Sequence, residues 1–320
     1  MMGFGRKKLP GELQGALERY AGKMLVEVAA KNPDVLKLGA SRRHVSLAYL
    51  DIWGFMDVTD YASPDAVTDL LCEYFSRMTR VVRKYRGFVD KFFGDAMFNI
   101  FGAPVDDKNH AEHACTAALA ALAETRALSS EWHEKGFGGV NQSIGIVTGP
   151  AIVGNIGNEQ RAMYTAIGEA VSLTVQLQQA SRIYGAPVVI SRETQLATRG
   201  KMLTRELDTI KVSGTDRVST VYELLGPEEG AERRLRRLAM VFEMGLKMFR
   251  NRDWPGAEKR FLEADRMMQG DQPSRLYLKR CEIYRKKPPP PEWDTAKAHT
   301  VKLLPGEDGS DRRRAVTHDE

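Results

Sequence analysis

A run of apolar residues interrupted by three charges most constrains how this chain folds. The segment FVDKFFGDAMFNIFGAP, residues 88–104, places Asp90, Lys91 and Asp95 where a buried sheet is otherwise expected. The apolar residues on either side of Gly94-Asp95 predict two strands joined by a short turn. Lys91 precedes Asp95 by an even number of residues, so both are expected on one face of the strand.

A second carboxylate ends the first strong strand pattern. Asp51 follows the apolar run VSLAYL and precedes Gly54. If that strand lies beside the 88–104 pair, Asp51 and Asp95 converge, and two hard oxygen donors suit Mg²⁺ or Mn²⁺. An aspartate in a glycine turn, with a lysine nearby as an ion-pair partner, is also a common surface feature. Spacing alone leaves both interpretations open.

Composition narrows the class of protein. A length of 320 residues suits one large domain and a smaller one. A content of 42% hydrophobic and 28% charged residues is typical of a globular protein. A net charge of +5 suits a small anionic ligand and does not favour nucleic acid. Three widely spaced cysteines, Cys72, Cys115 and Cys281, indicate reduced thiols and a cytoplasmic location. No apolar run reaches the roughly 18–20 residues of a membrane span, so none is expected.

The pattern of predicted elements divides the chain into four segments. Residues 1–43 predict a lead-in helix and linker, and 44–226 predict an α+β domain in the order β-α-β-β-α-β with an extra strand pair. That order is typical of a ferredoxin-like plan with additions. Residues 232–287 predict a small all-α tail of three tetratricopeptide-like helices, and 288–320 predict a disordered tail.

Two finer expectations concern strand pairing and packing. The segment NQSIGIVTGPAIVGNIG, residues 141–157, is interpreted as a strand pair that turns at Gly149-Pro150. One helical hairpin cannot bury its own apolar face well, so the tail is expected to pack on the α+β domain or on a protein partner.

Four ordered motifs carry a specific resemblance. They are SLAYLDIWGF, FVDKFFGDAMFNIFGAP, IGIVTGPAIVGNIG and YTAIGEAVSL, between residues 46 and 173. Together they resemble the catalytic domain of class III nucleotide cyclases over about residues 45–225, and the layout with a helical tail is similar to bacterial adenylate cyclases. The resemblance implies conversion of ATP to cyclic AMP and pyrophosphate, two Mg²⁺ or Mn²⁺ ions, and sites formed between two chains in a head-to-tail dimer.

The resemblance also implies roles for individual residues. Asp51 and Asp95 match the two metal-binding aspartates, and Ile52 matches the residue that lends its backbone carbonyl to one ion. Lys91 matches the lysine that reads the purine ring. Thr165 matches the second base-reading residue, and threonine there is typical of a bicarbonate-responsive adenylate subgroup.

The chain departs from the family pattern on the phosphate side. In the family motif V-N-x-A-x-R the Asn orients the ribose and the Arg stabilises developing charge, whereas this chain has Ser172 and Gln176. The arginine of the family's RIGIHTG motif is Ser143 here, and VSGTDR lacks the lysine of the family's VKGK motif. The cations expected around a triphosphate are therefore largely missing.

These departures leave three functional interpretations. The chain is a slow homodimeric adenylate cyclase in which Ser172 and Gln176 replace the usual catalytic pair, a metal-bearing subunit of a heterodimer with another cyclase-domain chain, or a nucleotide-binding regulatory protein without turnover. A preference for ATP over GTP depends only on Lys91 and Thr165.

Overall fold

The computed structural model describes residues 11–59, 62–212, 215, 217–290 and 293. The predicted disordered tail, apart from 288–290 and 293, lies outside the described residues, as does the start of the lead-in segment.

The described chain alternates strands and helices up to residue 227 and is helical from 233 to 286. The strands are β1 Gly39–Trp53, β2 Gly87–Phe93, β3 Ala96–Phe101, β4 Asn141–Gly157, β5 Ala162–Ile167, β6 Val188–Ser191, β7 Met202–Lys211 and β8 Val218–Pro227. The helices are α1 Gly11–Ala21, α2 Lys23–Lys31, α3 Phe55–Thr59, α4 Pro64–Lys84, α5 His110–Glu134, α6 Glu169–Tyr184, α7 Arg192–Ala197, α8 Arg233–Arg250, α9 Trp254–Met267 and α10 Gln272–Lys286. A 3₁₀ turn, Pro33–Leu36, leads into β1.

One mixed sheet organises the α+β domain. Its strand order is β2-β3-β1-β4-β6-β8-β7, with β5 paired to β4. The pairing of β4 with β6 is parallel and the other pairings are antiparallel. The fold is the expected α+β, ferredoxin-like plan with additions, followed by a small all-α tail.

Both faces of the sheet are covered, as the near-continuous apolar content of β1 requires. Along β1, Leu50 and Ile52 belong to the core shared with α4 and α5. Val45 and Leu47 point the other way, into the core shared with α6. The two-residue period of the strand therefore places β1 at the centre of the domain.

The interpretation of residues 141–157 as a strand pair was wrong. They form one 17-residue strand, and Gly149 does not adopt a left-handed φ that would mark a turn. β1 pairs with β4 from Asn141 to Asn155, while the opposite edge of β4 is shared by β6 at 144–146 and β5 from Ile152. Pro150 lies between those two segments, where the strand tolerates a missing N–H.

The helical tail has its own apolar core and also packs on β7, as expected. The buried Arg205 side chain of β7 donates to both carboxylate oxygens of Asp271 at 2.9 and 2.6 Å, and its Nε donates to Glu223 at 2.6 Å. The Tyr277 hydroxyl donates to the Leu207 carbonyl at 2.8 Å. These buried polar contacts fix the tail against the edge of the sheet. None of the described helices combines the length and apolar character that crossing a membrane requires.

Candidate active site

Two predicted metal ligands lie at neighbouring strand ends. Asp51 is near the end of β1, opposite Ala96 of β3, and Asp95 is in the turn that immediately precedes Ala96. Burial raises the pKa of Asp51 from 3.8 to about 6; Arg182 opposes that shift, and the negative charge of Asp95 adds to it. The chain thus brings both carboxylates close enough to interact electrostatically.

Two residues of α6 contact Asp51. Gln178 Nε2 donates to Oδ2 of Asp51 at 2.5 Å and to Oγ of Ser143 at 2.8 Å. Arg182 Nη2 donates to the same Oδ2 and forms an ion pair with it, and Arg182 Nε lies 3.4 Å from Ser143 Oγ. We call Asp51, Asp95, Ser143, Gln178 and Arg182 the carboxylate cluster.

Sequence reasoning missed both α6 residues of this cluster. Gln178 and Arg182 are one helical turn apart, so they share a face of α6. The available signal was a glutamine followed by an arginine at i+4 on a helix whose buried positions are otherwise mainly apolar or small.

The cluster fits a divalent cation by its chemistry. Two carboxylates, one of them buried, supply hard oxygen ligands, and a cation bound there would offset both the burial that raises the pKa of Asp51 and the smaller contribution of the Asp95 charge. Both α6 contacts are made to Oδ2, so neither of them occupies Oδ1. No set of three or more His, Cys, Asp and Glu side chains able to hold a metal occurs among the described residues. Mg²⁺ sites with one or two carboxylates draw their other ligands from water and substrate phosphates.

The predicted base readers are also brought together. Lys91 of β2 and Thr165 of β5 are 74 positions apart in sequence, and Lys91 Nζ donates to Thr165 Oγ1 at 2.8 Å. The Thr165 hydroxyl in turn donates to Asp90 Oδ2 at 2.5 Å, and Asp90 Oδ1 lies 3.5 Å from Lys91 Nζ. We call Asp90, Lys91 and Thr165 the base cluster.

The remaining predicted residues take different positions. Ile52 is on β1 with its side chain in the core. Ser172 is exposed on the first turn of α6, and Gln176 is buried one turn later. Gln176 Nε2 donates to the Lys211 backbone carbonyl at 2.8 Å, so part of its donor capacity serves the protein itself.

Comparison with known proteins identifies the family of the domain. A family described as the adenylate and guanylate cyclase catalytic domain matches residues 40–226. Adenylate cyclase 1 of Rhizobium meliloti (strain 1021) is 32% identical over 207 residues, covering 65% of this chain and 31% of that protein. The terminal-differentiation-specific adenylate cyclase of Dictyostelium discoideum is 27% identical over 243 residues, covering 75% of this chain and 11% of that protein. The chain thus spans less than a third of the length of these curated relatives.

Solved structures give the same result. The adenylyl cyclase CyaB from P. aeruginosa matches with a TM-score of 0.56 and 29% identity, over 61% of this chain and 98% of that chain. The guanylyl cyclase Cya2 matches with a TM-score of 0.56 and 27% identity over the same shares. The chain therefore belongs to the class III nucleotide cyclases and carries their adenylate and guanylate cyclase catalytic domain.

Proposed function

We propose that this chain is an adenylate cyclase that converts ATP to cyclic AMP and pyrophosphate at an interface between two cyclase domains. The observation that carries the proposal is the presence of two separate clusters in one chain. Asp51 and Asp95 interact electrostatically in the carboxylate cluster, while Lys91 donates to Thr165 in the base cluster. A complete site would combine the carboxylate cluster of one chain with the base cluster of another, in a homodimer or a heterodimer.

The reaction is one in-line displacement. The ribose 3′-hydroxyl oxygen bonds to the α-phosphorus, the bond from that phosphorus to the bridging oxygen of the β-phosphate breaks to release pyrophosphate, and the hydroxyl proton passes to water. Two Mg²⁺ or Mn²⁺ ions held by Asp51, Asp95 and the Ile52 carbonyl would supply charge stabilisation and lower the pKa of the 3′-hydroxyl. The raised pKa of Asp51 means that this carboxyl must lose its proton before it binds a cation well.

Charge on the phosphates also needs cations from the protein. Ser143 replaces the family arginine, but the Arg182 guanidinium lies beside Ser143 and is 41% exposed. Arg182 can turn from Asp51 to phosphate oxygens when cations bind the carboxylates. In this account it supplies part of the positive charge that the family motif no longer provides, and Ser172 and Gln176 are weak replacements for the ribose and phosphate contacts.

The base cluster supports adenine as the base. Lys91 can donate to a ring nitrogen of the purine. Thr165 is only 6% exposed in this chain, as expected of a residue at the bottom of a binding pocket. The preference for ATP over GTP is the part of the proposal that depends on these two side chains alone.

A second candidate is a catalytically impaired subunit that binds nucleotide or completes the site of another cyclase chain. The observation that favours it is the position of Gln176, whose amide donates to the Lys211 carbonyl where the family has an arginine for phosphates. Ser172 also offers less reach than the family asparagine.

The cysteines and the helical tail suggest where the domain acts and what it binds. The three cysteines are free thiols, which supports a cytoplasmic location. The tetratricopeptide-like tail, with its outer helix surfaces, is a candidate site for a protein partner.

The test is cyclic nucleotide formation by the purified chain with ATP or GTP and Mg²⁺ or Mn²⁺. We expect cyclic AMP from the wild type, none above background from Asp51→Ala, and an unchanged rate from Asp65→Ala, which alters an exposed carboxylate on α4. If a folded protein that binds ATP forms no product with either metal, the homodimeric enzyme is ruled out and the impaired-subunit candidate is favoured.

A further inference from the structure

A bulge in β2 places Asp90 in the base cluster. Val89 pairs with Asn99 and Lys91 pairs with the adjacent Phe98, so Asp90 is an extra residue in the strand. In a regular strand, neighbouring side chains point to opposite faces, and Asp90 and Lys91 would not meet the same partner. A bulge reorients side chains locally, and here both residues contact Thr165.

The chemistry of these groups fixes the direction of each hydrogen bond. An ammonium only donates and an ionised carboxylate only accepts. The Thr165 hydroxyl therefore accepts from Lys91 at 2.8 Å and gives its only hydrogen to Asp90 at 2.5 Å. One lone pair of the Thr165 hydroxyl oxygen remains. The hydroxyl can therefore accept a further hydrogen bond from a ligand but cannot donate one.

The Asp90 side chain is fully buried. Burial raises its pKa, whereas the Thr165 hydroxyl, the Lys91 ammonium and the Ala166 backbone N–H all favour the ionised carboxylate. Asp90 Oδ1 has no hydrogen-bond partner among the described residues, although Lys91 Nζ lies 3.5 Å away. A buried, incompletely satisfied carboxylate is costly for a strand, and packing of β2 does not require one.

We propose that Asp90 is a specificity-determining, positioning residue that holds the Thr165 hydroxyl as an acceptor for the 6-amino group of adenine. The inference rests on the proposed function and deepens it. Lys91 then donates to the unprotonated ring nitrogen N1. Guanine and hypoxanthine present the reverse pattern, a 6-oxo acceptor and an N1–H donor, so both would face groups of the wrong kind.

The first test uses the wild-type chain and three triphosphates: ATP, purine riboside triphosphate and inosine triphosphate. Purine riboside triphosphate lacks only the 6-amino group and keeps N1 as an acceptor. We expect kcat/KM for ATP to exceed that for purine riboside triphosphate by about 10-fold, the usual value of one hydrogen bond to a buried group. A ratio near one would mean that Thr165 does not accept from the amino group, and would overturn the proposal.

The second test removes the carboxylate. In Asp90→Ala the Thr165 hydrogen is released and can be donated to a 6-oxo group, so the ATP to inosine triphosphate ratio of kcat/KM should fall by about 10- to 100-fold. In a Thr165→Val background the same Asp90→Ala change should leave that ratio unaltered, because Asp90 acts through the hydroxyl. If Asp90 had a purely structural role, Asp90→Ala would lower kcat/KM equally for ATP and inosine triphosphate. An unchanged ratio of the two values would therefore contradict the proposal.

The proposal and the proposed function can fail separately. If no triphosphate turns over, the same ratios are measured as dissociation constants of ATP, inosine triphosphate and purine riboside triphosphate by calorimetry. Retained base discrimination that depends on Asp90 supports the specificity role even in an inactive chain, whereas binding without discrimination overturns it.

Discussion

The Arg182 guanidinium donates to Oδ2 of Asp51, so a cation from α6 lies against the carboxylate at the end of β1. The same side chain lies next to Ser143 on β4, the position where the resemblance to the family predicts an arginine. Two elements that are distant in sequence thus place a guanidinium in the region from which the family arginine is missing.

Arg182→Ala is predicted to reduce kcat/KM for ATP by about 10²-fold, because it removes a donor to developing phosphate charge. Affinity for inorganic triphosphate, measured by calorimetry in Mn²⁺, should fall as well. Arg126→Ala is the matched control, since Arg126 lines the same cavity of about 220 Å³ but has no contact with Asp51 in the described residues. An increase in activity would instead mean that Arg182 blocks Asp51 from the metal.

Restoring the family pair is predicted to raise the rate. Ser172→Asn combined with Gln176→Arg supplies a ribose contact and a phosphate cation one turn apart on α6, and kcat should rise by about 10²-fold. Gln179→Arg, at an exposed position of the same helix, adds the same charge and serves as the control. Equal rates for the double variant and the wild type would show that this face of α6 does not reach the substrate.

The buried pair that fixes the helical tail is predicted to matter for stability. Asp271→Ala removes the bidentate partner of the Arg205 guanidinium, which is 1% exposed and keeps only Glu223, and also removes the N-cap of α10; it should lower the free energy of unfolding by about 3–5 kcal/mol. Asp265→Ala breaks the half-exposed contact with Arg275 and should cost about 0–1 kcal/mol. Urea unfolding measures both, and equal effects would contradict a structural role for the Arg205–Asp271 pair.

The pKa of Asp51 predicts a pH dependence of stability. Because burial raises this pKa from 3.8 to about 6, the folded state binds more protons than the unfolded state between these values, so stability falls as the pH rises through that range. In Asp51→Asn this loss of stability with rising pH is absent, because asparagine does not titrate. The unfolding temperature of Asp51→Asn relative to the wild type, measured without divalent cations, should therefore increase from about pH 4.5 to about pH 7.

The control for this prediction is Asp69→Asn, which changes an exposed carboxylate on α4 and should give a pH-independent difference. If the difference in unfolding temperature between Asp51→Asn and the wild type were constant across this pH range, Asp51 would titrate as an ordinary carboxyl.

Local sequence patterns predicted much of the fold. The apolar runs around Gly94-Asp95 predicted β2 and β3, and Ser63 with Pro64 begins α4, where the Ser63 hydroxyl accepts from the Ala66 N–H. The interpretation failed at Gly149-Pro150, because whether a proline ends a strand depends on which edge is paired, and sequence does not show the partner strands.

The sequence likewise suggested some residues of the candidate site and not others. Asp51, Lys91, Asp95 and Thr165 could be proposed from the sequence because they lie in short ordered motifs. Arg182 was not, because its role depends on α6 crossing the end of β1, a tertiary relationship with no local sequence signal.

The most direct test of the account is a heterodimer purified through two different affinity tags, one chain carrying Asp51→Ala and the other Lys91→Ala. Each variant alone should be inactive as a homodimer, because both of its sites lack one cluster. In the heterodimer one site receives both altered residues and the other receives neither, so we predict about half of the wild-type rate of cyclic AMP formation. An inactive heterodimer made from folded chains that bind ATP would contradict a site built from two chains.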